Sequence, residues 1–161
     1  MLKPISYAYL ETTNYCNLDC SFCNRKEVIG DLEHMPLSKW CALLEKLKHH
    51  PIKEAKLMGM GEPFLHPQFD QICDVFKSYF PNAFLIVATN CQYKFTDKIE
   101  NAFKYIDLVY FSIDGYKESY ERDRAPKRTC EMAGSTVEPE AGAYTDLRAH
   151  ETRQEGGSGR R

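Results

Sequence analysis

The chain has 161 residues, 43% of them hydrophobic, and its 21 Lys and Arg against 23 Asp and Glu give a formal net charge of −2. This length suits one domain with a hydrophobic core, but a complete eight-strand barrel takes about 250 residues, so any barrel must be partial. Scattered basic residues argue against nucleic acid as a partner. No signal-peptide pattern and no apolar run near the roughly 20 residues of a membrane span are present, which predicts a cytoplasmic protein without a membrane partner.

The first 128 residues alternate between two patterns. Short runs rich in β-branched and aromatic residues predict four strands, and apolar residues at helical spacing predict a helix after each of the first three. The predicted strands are Ile5 to Glu11, Glu54 to Met58, Ala83 to Thr89 and Leu108 to Ile113, and the helices are Leu37 to Lys48, Phe69 to Phe80 and Thr96 to Ile106. This order predicts an α/β fold with a parallel sheet and right-handed crossovers.

The segment 129–161 differs in composition from the rest of the chain. After Arg128 there is no Lys, Phe, Ile or Trp, and no apolar period is visible. We therefore predict one domain over 1–128 and a non-homologous, disordered tail over 129–161. A frameshifted or artificial end and a natural flexible tail both fit this change.

Each predicted strand is followed by a polar or glycine-rich loop. The four loops read "TTNYCNLDCSFC", "MGMGEP", "TNCQY" and "SIDGY". Because the carboxyl ends of parallel strands meet at one edge of a sheet, these loops predict one shared site.

The first of these loops places Cys16, Cys20 and Cys23 within eight positions. Thiolates bind soft or borderline metals, and three of them on one loop predict a metal site. A structural zinc ion would need a fourth ligand, for which His34 and Cys41 are the candidates. An iron–sulfur cluster takes one cysteine per iron, so three cysteines on a four-iron cluster would leave one iron open to a small molecule. Both readings stay open on spacing alone.

The spacing CxxxCxxC, with Phe22 directly before the last cysteine, resembles the cluster-binding loop of the radical S-adenosylmethionine (radical SAM) superfamily. "MGMGEP" is similar to the GGE motif of that family, with Met60 at the first glycine. "ATNCQY" is similar to its TNG-type segment, with Cys91 at the glycine. "FSIDGY" resembles the S-x-D-G segment of members that modify peptides. The resemblance covers residues 5 to about 125, where members usually continue, so it implies the front part of a partial (β/α) barrel.

The resemblance implies two cofactors, a 4Fe–4S cluster and S-adenosylmethionine, and assigns residues to them. Glu62 and Gly61 would bind the methionine amino group, and Phe22 would offer backbone contacts to the adenine. Arg122 or Arg124 is a further candidate, as a partner of the methionine carboxylate. The remaining assignments are Cys16, Cys20 and Cys23 as cluster ligands and Asn90, Ser112 and Asp114 as the polar wall.

The implied activity is that of a maturase-like, SPASM-type radical SAM enzyme. An external one-electron donor of the flavodoxin or ferredoxin type would reduce the cluster, S-adenosylmethionine would be cleaved, and the 5'-deoxyadenosyl radical would take hydrogen from a peptide or carbohydrate-derived substrate. An RNA-modifying radical SAM methyltransferase, an inactive truncated fragment and a zinc-stabilised binding module are the alternatives. No residue is predicted to act as a catalytic acid, base or nucleophile.

Overall fold

A computed structural model of the chain describes residues 4–113, 122–125 and 145–148, and residues 125 and 145–148 only by their backbone. In chain order its strands and helices are β1 (Ile5–Tyr9), β2 (Asp19–Cys20), α1 (Arg25–Val28), α2 (Leu37–Leu47), β3 (Ile52–Leu57), a 3-10 turn (Pro63–Leu65), α3 (Phe69–Tyr79), β4 (Phe84–Thr89), α4 (Asp97–Phe103), β5 (Leu108–Phe111), β6 (Arg124–Ala125) and β7 (Thr145–Arg148).

Four parallel strands form the main sheet. Its order is β1-β3-β4-β5, and β7 adds an antiparallel fifth strand beside β5. Helices α2, α3 and α4 connect the parallel strands, so the predicted α/β fold, the front part of a partial barrel, is confirmed. No described helix has both the length and the apolar composition that crossing a membrane would demand.

The predicted tail contributes one described element. Most of 129–161 lies outside the described residues, but Thr145–Arg148 pairs with Leu108–Phe111. "TDLR" has no strand-like alternation, so its sequence did not predict this pairing. Among the described strands, β5 has no other neighbour on that side, and the open N–H and C=O groups of such an edge can pair with an extended segment that carries no strand pattern.

The core lies between the sheet and the three long helices. Trp40 and Leu44 of α2 are fully buried, as are Ile72 and Phe76 of α3. These residues recur at the helical period, which is why each helix lays one apolar face on the sheet. Pro36 stands at the start of α2, where its missing N–H costs nothing. The indole N–H of Trp40 donates to the Ile72 carbonyl at 3.0 Å, so the largest core side chain leaves no polar atom unsatisfied.

The strand register brings the four predicted loops to one edge. Tyr9 lies opposite Lys56, Leu57 opposite Val87, and Thr89 opposite Phe111. Because these residues are at or near the strand ends, the chain leaves β1, β3, β4 and β5 at the same edge of the sheet. The candidate site is built there.

Candidate functional site

The cysteine loop is anchored where it leaves β1. Thr13 forms a β-bridge with His34, and the Met35 N–H donates to the Thr12 carbonyl at 2.8 Å. The Thr13 hydroxyl also bonds the Glu33 carbonyl at 3.1 Å and His34 Nδ1 at 2.9 Å. The beginning of the loop is therefore fixed to the segment that precedes α2.

The turn after β3, residues 59–62, packs directly on the cysteine loop. A Cβ atom at Gly61 would lie 2.2 Å from the Thr13 carbonyl oxygen, a distance that no side chain can occupy. The Glu62 N–H donates to the Tyr15 carbonyl at 2.8 Å, and the Met60 N–H donates to Glu11 Oε1 at 2.6 Å. Gly61 is thus required by the close approach of two backbones.

Glu62 carries a buried carboxylate that joins this turn to the loop after β4. Its Oε1 accepts from the Thr89 hydroxyl at 2.7 Å and from the Phe64 N–H at 3.2 Å, and its Oε2 accepts from the Asn90 N–H at 2.7 Å. Burial raises the pKa of Glu62 to about 7, and the three hydrogen bonds oppose that rise. The sequence predicted Glu62 as a site residue, but not Thr89 as its partner.

Asn90 extends the same network to a cysteine. Its Nδ2 donates to Asn17 Oδ1 at 3.0 Å and to Cys16 Sγ at 3.6 Å, and its Oδ1 accepts from the Gln92 N–H at 2.8 Å. The Leu18 N–H also donates to Cys16 Sγ, at 3.5 Å. Asn90 therefore positions both the cysteine loop and the loop after β4.

Cys91 stands where the resemblance expects glycine. The backbone conformation at this position explains why glycine is expected. Its φ is 62°, in the left-handed region that glycine enters without penalty. The side chain is buried, 6% exposed, as a small apolar residue would be. The chain therefore retains the glycine-type turn with a thiol in place of the hydrogen atom.

The far end of the cysteine loop is less enclosed. Cys20 belongs to β2 and pairs with Arg124 of β6, while Cys23 is exposed and donates its N–H to the Cys20 carbonyl at 3.0 Å. Phe22 is 62% exposed, and the Arg124 guanidinium carbon lies 5.3 Å from its ring centroid. The antiparallel pair of β2 and β6 has two residues on each strand, which is too short for a sequence pattern to predict.

The two predicted arginines have different surroundings. Arg124 is buried, 8% exposed, and its charge helps to lower the pKa of Glu62 against the effect of burial. Arg122 is exposed and pairs with Asp123 at 3.0 Å. Of the two, Arg124 is the one that lies at the site.

Ser112 stands at the end of β5. Its N–H donates to the Thr89 carbonyl at 2.8 Å, so it lies beside the loop that carries Asn90. Asp114 lies outside the described residues. The structure thus brings Cys16, Glu62 and Asn90 into one hydrogen-bonded unit. Gly61 packs beside it on Thr13, Ser112 lies at its border, and Phe22 contacts Arg124.

The donors of the cysteine loop are three thiols, the ligands that iron–sulfur clusters take, one for each iron. Within 4–113 and 122–124, no three His, Cys, Asp or Glu side chains stand close enough together to hold one ion. His34, the candidate fourth zinc ligand, already bonds Thr13, and Cys41 lies on α2. Burial raises the pKa of the Cys16 thiol, and the N–H groups of Leu18 and Asn90 oppose that rise.

Polar atoms without partners also lie at this edge. In the part of the chain that the structure describes, the two buried side-chain atoms with no hydrogen bond are Thr12 Oγ1 and Gln92 Nε2. Both belong to loops that carry predicted site residues. A buried donor without a partner is costly, so Gln92 leaves hydrogen-bonding capacity for a bound group.

Comparison with known proteins matches residues 10–137 to the Radical SAM superfamily. The chain is 34% identical over 114 residues to a tungsten-containing aldehyde ferredoxin oxidoreductase cofactor-modifying protein of Pyrococcus furiosus. The aligned region covers 68% of this chain and 31% of that protein. The chain is 35% identical over 79 residues to the sporulation killing factor maturation protein SkfB of Bacillus subtilis, covering 49% and 19%. The chain thus spans less than a third of these relatives' lengths.

Solved structures share the fold. SuiB of Streptococcus suis, bound to S-adenosylmethionine, superposes with a TM-score of 0.61 at 20% identity, over 75% of this chain and 28% of SuiB. The complex of SuiB with its precursor peptide SuiA gives a TM-score of 0.60. Together with the family match over 10–137, the sequence motifs and the arrangement of the loops, these findings show that the chain belongs to the radical SAM superfamily, whose members bind a 4Fe–4S cluster and S-adenosylmethionine.

Proposed function

We propose that the chain forms the cluster-binding and cosubstrate-binding part of a maturase-type radical SAM enzyme that removes hydrogen from a peptide or carbohydrate-derived substrate. The names of two similar proteins favour a peptide: SkfB is a maturation protein, and SuiB binds the precursor peptide SuiA. The observation that carries the proposal is the hydrogen-bonded unit of Cys16, Asn90 and Glu62, which unites three loops at the carboxyl edge of the sheet.

Cys16, Cys20 and Cys23 would hold the cluster. When bound, the cluster and S-adenosylmethionine supply a 5'-deoxyadenosyl radical, and the protein's part is to position the reactants and exclude water. Asn90 and Leu18 direct N–H groups at Cys16 Sγ, and such hydrogen bonds favour the thiolate form of a ligand. The cysteine nearest the sheet is therefore held in place before any metal arrives.

Glu62 would hold the methionine ammonium. A carboxylate has about four acceptor positions, and Thr89, Phe64 and Asn90 fill three of them. The remaining position on Oε2 is suited to one further donor. Gly61 would assist by letting the turn lie directly against the backbone of Thr13 and Tyr15, which keeps Glu62 in place for the amino group. Phe22 would offer its backbone to the adenine, and Ser112 and Asp114 would complete the polar wall.

An external one-electron donor of the flavodoxin or ferredoxin type would dock on the exposed side of the cysteine loop. Cys23 is exposed, and Phe22 beside it presents 62% of its surface. A cytoplasmic location fits the six described cysteines, among which no disulfide is formed.

The proposal is tested by anaerobic reconstitution of the purified chain with iron and sulfide. We expect about four iron atoms per chain, one for each corner of the cluster. After reduction, added S-adenosylmethionine should yield 5'-deoxyadenosine, which is measured by chromatography. Cys23→Ser should lose the iron, whereas Cys41→Ser, a partly buried cysteine on α2, should retain it. Uptake of one zinc ion and no iron would refute the proposal, as would equal iron loss in both variants.

A further inference from the structure

The sheet has a second face, opposite the one that packs on the helices. Side chains alternate along a strand, so Ala55 and Leu57, which belong to the buried core, point to the helices, and Lys56 between them points away. Tyr9 lies opposite Lys56 on the neighbouring strand, and Tyr7 is two residues before it on the same face. Tyr7 and Tyr9 are 60% and 64% exposed. This face is therefore accessible at β1.

Lys56 lies among three tyrosine rings on this face. Its Nζ is 5.4 Å from the Tyr9 ring centroid, 5.8 Å from that of Tyr7 and 5.8 Å from that of Tyr110. Ammonium groups within about 6 Å of an aromatic ring face are attracted to it. We call these four residues the Lys56–tyrosine cluster. It combines one fixed positive charge with three flat apolar walls.

The N–H donors of the Lys56 ammonium group are available for an acceptor. Among the described residues this group has neither an ion pair with a carboxylate nor a hydrogen bond to an oxygen. Glu54 is two residues earlier on the same face and lies opposite Tyr7 in the strand register. Its carboxylate forms no ion pair with Lys56. Aromatic rings attract the charge but leave the three N–H groups available for an oxygen acceptor. An anion is the group that would satisfy them best.

The cluster stands next to the candidate site. Lys56 is the penultimate residue of β3, just before the turn that carries Gly61 and Glu62, and Tyr110 is two residues before Ser112. Lys56 lies opposite Ile86, and Ile86 lies opposite Leu108, so Tyr110 is two residues nearer the carboxyl edge than Lys56. A molecule that crosses the sheet face from that edge would pass Tyr110 and then reach Lys56. The position of the Lys56–tyrosine cluster suits a group of the substrate, because the proposed binding residues of the two cofactors lie on the loops.

We propose that the Lys56–tyrosine cluster binds a carboxylate of the substrate, and so selects a peptide with an acidic residue near the position that reacts. This inference rests on the proposed function for the identity of the ligand. Lys56 would pair with the carboxylate, and the tyrosine rings would pack against the adjoining methylene groups.

The test is an NMR titration of the full 161-residue chain with two neutral-ended peptides, acetyl-Ala-Glu-Ala-amide and acetyl-Ala-Gln-Ala-amide. The glutamate peptide should bind at least about threefold more tightly, as an exposed ion pair allows, and should shift the ring signals of the three tyrosines. Lys56→Gln should remove this preference, and Lys56→Arg should keep it. Lys53→Gln is the matched control, because Lys53 is exposed on the same strand but on the opposite face.

Equal affinity for the two peptides, no binding of either, or a preference that survives Lys56→Gln would overturn the inference. The titration requires neither iron nor S-adenosylmethionine. Failure of the proposed function would appear as missing iron and missing 5'-deoxyadenosine. The two failures are therefore read in separate experiments.

Discussion

Two parts of the site differ in how completely the protein itself holds them. In the turn at 59–65, Glu62, Pro63 and Phe64 are buried, Gly61 packs on the backbone of Thr13, and Glu62 accepts three hydrogen bonds. The cysteine loop is bonded at Cys16, but Cys23 is exposed and Phe22 projects outward. The first part is organised by packing and hydrogen bonds, whereas the second leaves Cys23, a proposed cluster ligand, exposed. The turn that we propose binds the cosubstrate is therefore the preorganised half of the site.

The difference predicts that the largest loss of stability without metal follows a change at Gly61. Gly61→Ala places a methyl group 2.2 Å from the Thr13 carbonyl oxygen, so the two loops must separate. We expect the free energy of unfolding of the metal-free protein to fall by about 2–3 kcal/mol, as for overpacking elsewhere in proteins. Urea denaturation measures this change.

Gly30→Ala is the matched control for that variant. A Cβ at Gly30 meets nothing within 4 Å, so its effect should stay below about 0.5 kcal/mol. If the two alanine variants had equal stability, the turn at 59–65 would not be the tightly packed part.

Glu62→Gln should produce the next largest effect. The glutamine keeps one acceptor oxygen but turns an NH2 group toward a donor that Glu62 now accepts, from Asn90, Thr89 or Phe64. Above pH 7, where Glu62 is ionised, one buried donor left without a partner costs about 1–3 kcal/mol, again measured by urea denaturation.

The pH dependence of the free energy of unfolding reports the ionisation of Glu62. The folded pKa of Glu62 is about 7 against an ordinary 4.5, so between these values the folded state retains a proton that the unfolded state has released. The contribution of Glu62 to the free energy of unfolding should therefore fall as pH rises from 4.5 to about 7. Burial lowers the pKa of His34 and of His66, and these groups contribute the opposite slope. The measurement is therefore the difference in free energy of unfolding between wild type and Glu62→Gln, which should fall over this range. A difference that does not change with pH would contradict the raised pKa of Glu62.

The smallest effect on stability is expected at the outer cysteine. Cys23→Ala removes an exposed side chain, so the free energy of unfolding of the metal-free protein should change by less than about 0.5 kcal/mol. Cys73→Ala is the contrast, because Cys73 is fully buried in α3 and its loss leaves a cavity. A large loss of stability at Cys23 would mean that the cysteine loop is as fully organised as the turn.

The strands and long helices were largely predictable because each carries its own period. The strands observed at 5–9, 52–57, 84–89 and 108–111 all overlap their predictions, and α2 and α3 begin where Leu37 and Phe69 predict. Pro36 and Pro81 bound these helices through the backbone chemistry of proline, which depends on no distant contact. The loops at the strand ends were predictable for a related reason, since a parallel sheet brings its carboxyl ends together.

The short pairings were not predictable. Asp19–Cys20 and Arg124–Ala125 have two residues each and are about a hundred positions apart, and β7 carries no strand pattern. A two-residue strand has no period to detect, and its partner is selected by whatever edge the fold leaves open. The domain boundary that the sequence predicts after residue 128 stays a prediction.

By itself the sequence determined the fold class and the chemistry that is available: three clustered thiols, a glycine turn with a carboxylate, and an α/β order that brings them to one edge. These follow from local spacing, which needs no knowledge of distant residues. Only the tertiary structure decided that Asn90 reaches Cys16, that Thr89 bonds Glu62, and that Lys56 meets three tyrosines. Each of those contacts joins different strands or loops, and their meeting depends on strand register, which the packing of the whole core selects.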